Sequence, residues 1–254
     1  MCLIAFAWQA HADYPLVVVA NRDEYLDRPA IPAHWWQDSS NLLAGRDLEA
    51  GGTWMGLSRG GRFAALTNYR DPSRRNTAAP SRGKLVRDAL ESDGDTLATL
   101  HAIAADSVRY AGFNLLVSDG QTLGIHESTT GTVRLLEPGL YGLSNHLLDT
   151  PWPKLALARH RLAALLPRLP AEDGVLELLR DDTVATDEQL PQTGVSLEWE
   201  RLLSPTFIRA PGYGTRCSSL VLVDREGRTR LREWTWNDDG RLRSEVVHGF
   251  TTHP

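Results

Sequence analysis

Short apolar or β-branched runs separated by turn residues occupy both ends of the chain, and helical periodicity is confined to its middle. Residues 2–8 are continuously apolar and 16–20 are rich in valine, so both read as strands. The polar stretch 9–15 joins them as a hairpin. With Trp8 opposite Leu16, Cys2 falls opposite Arg22, and Asn21 and Asp23 flank it. A slip of one residue would exchange which of these side chains share the face of Cys2.

Farther along, Pro29 and Pro32 interrupt any helix or central strand, so 27–40 is expected to be a surface loop. Residues 54–57 and 62–67 read as strands joined at Gly60-Gly61, and the glycines of 43–56 read as turn positions rather than a phosphate cradle. Ser81 caps an expected helix carrying Leu85, Val86, Ala89 and Leu90 on one face, and Thr96 caps a second. Strands at 112–117, 121–126, 132–137 and 140–144 form an expected meander. Pro151-Trp152-Pro153 opens the longest helix, 154–166, with Leu155, Ala158, Leu162 and Leu165 at the 3.6 period. A further helix covers 174–180, a loop or lid with short helical pieces covers 181–211, and three strands (216–223, 229–236, 241–247) close the chain. Strands at both ends around central helices predict an α+β fold, and so many strands are most economical as two stacked, mainly antiparallel sheets. No internal repeat or linker divides residues 1–254, which are expected to form a single domain.

Charge narrows the function. The net charge is −5 with both signs interspersed, so no basic stripe is offered to nucleic acid. No apolar run approaches the roughly 20 residues of a membrane span, and the N-terminal run is too short for a signal-peptide core. The two cysteines, Cys2 and Cys217, show no zinc or disulfide spacing, which fits a reducing compartment. A soluble, cytoplasmic protein is expected.

Chemistry concentrates at the N-terminus. Cys2 reads either as a small buried hydrophobe or, once Met1 is removed, as a thiol carrying its own base, because a free α-amine has a pKa of about 7.7 to 8.0. Asn21-Arg22-Asp23-Glu24 reads either as a solvated strand end or as the polar partner of Cys2: a guanidinium would depress the thiol pKa, and a carboxylate would hold the amine. Asn68 and Asn145 end expected strands, as turn residues or as oxyanion-hole donors. The histidines show no metal spacing; His146 is kept as a pocket residue or axial haem ligand.

Several ordered segments carry a resemblance. Met1-Cys2-Leu3-Ile4, Asn21-Arg22-Asp23-Glu24, Ala44-Gly45-Arg46-Asp47, Gly51-Gly52-Thr53-Trp54, Leu66-Thr67-Asn68-Tyr69-Arg70, Ser81-Arg82-Gly83, Gly112-Phe113-Asn114-Leu115, Gly142-Leu143-Ser144-Asn145, Pro151-Trp152-Pro153-Lys154 and Gly214-Thr215-Arg216-Cys217 resemble the NRDE family of transport and Golgi organisation protein 2 homologues. That family is similar in layout to N-terminal nucleophile (Ntn) hydrolases. The resemblance implies a four-layer αββα sandwich and places Cys2 at the nucleophile, Asp23 beside the α-amine, Asn68 and Asn145 at the oxyanion hole, and Arg22 and Arg216 as active-site arginines. In the similar cysteine amidases the arginine precedes the aspartate by three residues; here Arg22 and Asp23 are adjacent.

Two functions follow as expectations. One is a cysteine Ntn-type hydrolase cleaving a non-peptide C–N amide bond of a small molecule, with no cofactor. The other, of a different class, is a non-enzymatic protein for haem trafficking or for lipid and acyl-CoA binding that uses the same pocket for a hydrophobic ligand. The surplus of tryptophans near the motifs favours the second.

Overall fold

The computed structural model describes residues 2–74 and 79–252. β1 (Cys2–Trp8) and β2 (Leu16–Tyr25) pair antiparallel from Trp8 opposite Leu16 to Cys2 opposite Arg22, as the hairpin reading expects. β2 runs past the valines, so Asn21-Arg22-Asp23-Glu24 lies inside a strand and not at its solvated end; Asn21, Arg22 and Asp23 are buried. β3 (Ala30–Trp35), β4 (Leu42–Asp47), β5 (Met55–Ser58) and β6 (Phe63–Asn68) follow. The expected loop at 27–40 therefore contains a strand. β3 tolerates Pro32 because it is an edge strand whose register shifts between Ile31 and His34.

Next come α1 (Gly83–Glu91), α2 (Thr96–Ala105), β7 (Phe113–Ser118), β8 (Leu123–Glu127), β9 (Thr132–Leu135) and β10 (Gly139–Leu143). The helix caps differ from expectation: Asp95, not Thr96, caps α2 by accepting from the Ala98 N–H, and Arg82 stands at the N-cap of α1 with no side-chain cap bond. α3 (Pro153–Leu165), α4 (Val175–Leu179) and α5 (Leu197–Leu202) precede β11 (Arg209–Ala210), β12 (Tyr213–Val223), β13 (Arg228–Trp236) and β14 (Leu242–Thr251).

The strands form two antiparallel sheets. One has the order β10-β1-β2-β12-β13-β14, with β11 added on β12; the other runs β3-β4-β5-β6-β7-β8-β9. The expected meander therefore ends at β9, and β10 crosses over to pair with β1.

Alternation along each strand sorts the layers. Ile4, Phe6, Trp8, Val18, Ala20, Val221 and Leu231 meet Leu43, Leu57, Phe63 and Leu116 between the sheets. Leu3, Ala5, Val17, Val19 and Leu220 face outward onto Leu155, Ala158, Leu162, Leu178 and Leu179 of α3 and α4. On the far side, Leu85, Val86, Ala89 and Leu90 of α1 cover Ala64, Leu115 and Val117. The result is an α+β sandwich of two stacked sheets between outer helices.

Candidate active site

The inter-sheet face of the first sheet changes character at one end. The residues paired across it are Cys2 on β1, Arg22 on β2, Cys217 on β12, Thr235 on β13 and Ser244 on β14. Directly opposed residues share a face, so these five side chains form one row. A fully buried aliphatic side chain at each position would gain about 1.5–3 kcal/mol. The row instead opens into a cavity of about 590 Å³ that all five residues line, together with Asp23, Asn68, Arg82 and Arg216.

Burial pushes the Cys2 thiol above its ordinary value; Asp23 adds to the rise and the Arg22 guanidinium opposes it. Arg22 is held by a tight polar turn. Its Nη2 donates to Asp47 Oδ2 at 2.9 Å, and Arg28 Nε donates to the same oxygen at 2.5 Å. Asp47 Oδ1 accepts the Glu49 and Ala50 N–H groups at 3.1 and 2.9 Å. Burial works against this carboxylate, yet the Arg28 and Ala50 hydrogen bonds hold it below the usual range. Gly51, at φ +72°, makes the turn possible, as the sequence reading expects. Gly52 does more than turn: a Cβ there would stand 2.5 Å from the Gly83 carbonyl carbon, so a side chain is excluded where this loop meets the start of α1.

The one-residue spacing of the motif distributes it over two faces. Arg22 and Glu24 face the cavity layer; Asn21 faces the helices, where Nδ2 donates to the carbonyls of Leu179 and Thr206 at 2.8 and 2.9 Å. Asp23 shares the parity of Asn21 and accepts Thr215 Oγ1 at 2.7 Å, while still contributing to the cavity wall. Burial raises its pKa, opposed by the charge of Lys154. Lys154 is buried in the first turn of α3, donates to the Leu203 carbonyl at 3.0 Å, and is lowered by desolvation to about 8. Beside it, Arg70 donates to Glu200 at 2.9 Å in a buried ion pair and lies over the Trp152 ring.

Asn68 lines the cavity; Asn145 does not. Asn145 Nδ2 donates to the Asn68 carbonyl at 2.9 Å, the Arg70 N–H donates to the Asn145 carbonyl at 2.7 Å, and Ser144 Oγ donates to the Cys2 carbonyl at 3.1 Å. The Ser144-Asn145 pair thus ties both cavity walls together. Arg216 lines the cavity, but its Nη1 donates to the carbonyls of Tyr25, Leu26 and Arg28, clamping the chain as it leaves β2. His146 is not brought to the cavity: its Nδ1 is 2.9 Å from Thr150 Oγ1 and its ring packs on Tyr69.

Sequence reading missed Cys217, Thr235, Glu233, Arg82, Arg28 and Asp47 as contributors to one site. The signal for the first three was period two on β12 and β13, where buried alternate positions turn polar. Arg82 stands in Ser81-Arg82-Gly83, one of the segments that carry the resemblance, but a basic residue before a helix otherwise reads as ordinary surface. Burial raises Glu233, whose Oε1 accepts the Ala33 N–H at 2.9 Å.

Two stacked antiparallel sheets with helices on both outer faces form an α+β sandwich of the Ntn-hydrolase type. The conjugated bile acid hydrolase from Clostridium perfringens, solved as a C2A mutant, has a similar fold, with a TM-score of 0.51 at 8% identity over 99% of this chain and 92% of that one. The chain itself belongs to the Transport and Golgi organisation 2 family, whose description matches residues 1–238. It is 37% identical to the Transport and Golgi organization protein 2 homolog of Bos taurus over 257 residues, 92% of each chain. It is 34% identical to the Homo sapiens homolog over 260 residues, 94% of each. No helix of the described residues is long and apolar enough to cross a membrane.

Proposed function

We propose that the protein is a cysteine hydrolase of the N-terminal nucleophile type, acting on a non-peptide C–N amide bond of a small molecule. The observation that carries this reading is the cross-strand row that places Cys2 directly opposite Arg22 at the cavity, with Asn68 in the wall. The hydrolase of similar fold, solved with its position-2 cysteine replaced by alanine, supports it.

In this mechanism Met1, which lies outside the described residues, is first removed. The raised thiol of Cys2 needs a base, and its own freed α-amine takes the proton while Asp23 holds the resulting ammonium. Sγ bonds to the acyl carbon. The tetrahedral oxyanion rests against Asn68, and Asn145 acts on it only by holding the Asn68 main chain. The C–N bond breaks as the ammonium returns its proton to the leaving amine. Water gives a proton to the free α-amine and attacks the thioester carbon; the C–S bond breaks, the ammonium returns the proton to Sγ, and the acid leaves. Arg22 favours the thiolate, and Arg216 fixes the segment that follows Arg22 and Asp23.

The test is acyl-enzyme formation with a reactive amide or ester probe, followed by intact mass. Protein lacking Met1 should gain the acyl mass, and Cys2→Ala should not. Normal labelling of Cys2→Ala, or no labelling of protein that lacks Met1, would sink the reading.

A further inference from the structure

The charges lining the cavity do not cancel in pairs. Asp47 is shared by Arg22 and Arg28, and Arg46 is engaged with Asp38 through two bonds of 2.7 and 2.8 Å. Arg82 and Arg216 have only main-chain carbonyls as hydrogen-bond partners among the described residues: Gly112 for Arg82, at 3.1 Å, and the three after β2 for Arg216. A carbonyl orients a guanidinium without neutralising it.

Arg22 adds a second observation. Its side chain is only 10% exposed, its Nη2 is used by Asp47, and its Nη1 is buried with no hydrogen-bond partner among the described residues. An orphaned buried charged donor costs more than the hydrogen bond it would make is worth, so a group that satisfies it on binding recovers that cost. Arg82 lies near enough to feel the charges of Glu24, Cys2 and Arg28, so it belongs to the same electrostatic neighbourhood.

The backbone points the same way. α1 starts at this wall, with Ser81, Arg82 and Gly83 lining the cavity. Its first turn contains no acidic residue and Arg82 supplies no cap bond, so the positive end of the helix is not answered by a local carboxylate. On the opposing side, Glu24 and Glu49 stand 3.8 and 3.7 Å from Arg22 and Arg28, and Glu49 is 64% exposed.

We propose that the cavity is built for a ligand carrying an oxyanion group, a carboxylate or a phosphate, seated against Arg82, the Nη1 side of Arg22 and the start of α1. The remainder of the ligand extends along the row from Cys2 to Cys217. This rests on the proposed hydrolase only in placing the ligand's reactive carbon at Cys2; the seat itself needs no turnover. Planar guanidinium forks match both anions bidentately, so the shared chemistry is an oxyanion.

The experiment uses Cys2→Ala protein, which removes the nucleophile, and matched probes: octanoate, octyl phosphate and octanamide, titrated by calorimetry. One or both anions should bind saturably and at least about tenfold more tightly than the neutral amide, and the advantage should shrink as salt is raised. A preference for octanoate identifies a carboxylate seat, and a preference for octyl phosphate a phosphate seat. Arg82→Gln should bring anion affinity down to that of the amide, and Arg82→Lys, which keeps the charge, should retain part of it. Equal binding of all three probes, absence of saturable anion binding, or undiminished anion affinity in Arg82→Gln would overturn the seat. Because the assay runs without Cys2, failure of the hydrolase reading leaves this result standing, and the reverse holds too.

Discussion

Asn145 Nδ2 donates a 2.9 Å hydrogen bond to the Asn68 carbonyl, joining a residue just beyond β10 of one sheet to the last residue of β6 in the other. Asn145→Ala removes the donor and leaves a carbonyl without its partner, at a cost of about 1–3 kcal/mol. Because Asn68 is in the cavity wall, kcat of the proposed hydrolysis should fall by about 10²–10³ with KM changed less, as when an oxyanion donor is lost. Thermal melts and steady-state kinetics on the same preparation check both halves.

The two cavity cysteines should differ in reactivity. Burial raises both thiols; at Cys2 Asp23 adds to the rise and Arg22 opposes it, whereas Cys217 stands well above its ordinary value because burial is joined by Glu233, with Arg22 opposing. Alkylation by iodoacetamide, followed by peptide mass mapping over a pH series, should modify Cys2 first. Arg22→Gln should move its midpoint to higher pH; an unchanged midpoint would show that the guanidinium does not act on the thiol.

Lys154 makes stability depend on pH. Its folded pKa, about 8, is below the ordinary 10.5, so between those values the unfolded chain binds a proton that the native one does not, and stability rises with pH. The destabilisation is fully present below the folded value and is relieved on approaching 10.5. Its size is on the order of 3 kcal/mol for a group this deeply buried. Lys154→Met should lose that slope in urea melts between pH 8 and 10.5; an identical slope would remove Lys154 as its source.

Glu200 should be costly to remove alone. It accepts Arg70, the Thr193 N–H and Thr193 Oγ1, and so ties the long segment before β11 to the end of β6. Glu200→Ala leaves a buried guanidinium and should cost about 3–5 kcal/mol, whereas Arg70→Met with Glu200→Leu should cost less than Glu200→Ala. A double-mutant cycle by urea denaturation measures the difference.

The first hairpin was readable because apolar continuity and a short polar connection left one economical register, and Cys2 opposite Arg22 followed from it. The motif's location inside β2 was hidden for a physical reason: a buried strand that serves a cavity substitutes Arg22 and Asp23 where apolar residues signal a strand. β3 was hidden by Pro32, which an edge strand with a shifted register accommodates. The destination of β10 was hidden because a strand's sequence marks its burial but not which sheet it joins. Of the expected site residues, Cys2, Arg22, Asp23, Asn68 and Arg216 line one cavity, Asn145 binds its wall from behind, and His146 stands elsewhere. Glu233, and the place of the motif residue Arg82 in the same cavity as Cys2, were invisible because their relevance comes from elements more than fifty residues from Cys2 in the chain.

Arg216 sits where the pairing of β12 with β2 slips by one, between Thr215 opposite Asp23 and Cys217 opposite Arg22. That extra residue lets two side chains two positions apart point to opposite faces, Thr215 toward Asp23 and Cys217 into the cavity. Deleting Arg216 would therefore do more than remove a guanidinium. With the phase of the strand made continuous, either Asp23 loses its hydroxyl donor or the row from Cys2 to Ser244 loses its middle member. In genetic terms, a one-codon deletion here strikes both sides of the sheet at once, and no point substitution at 216 reproduces it.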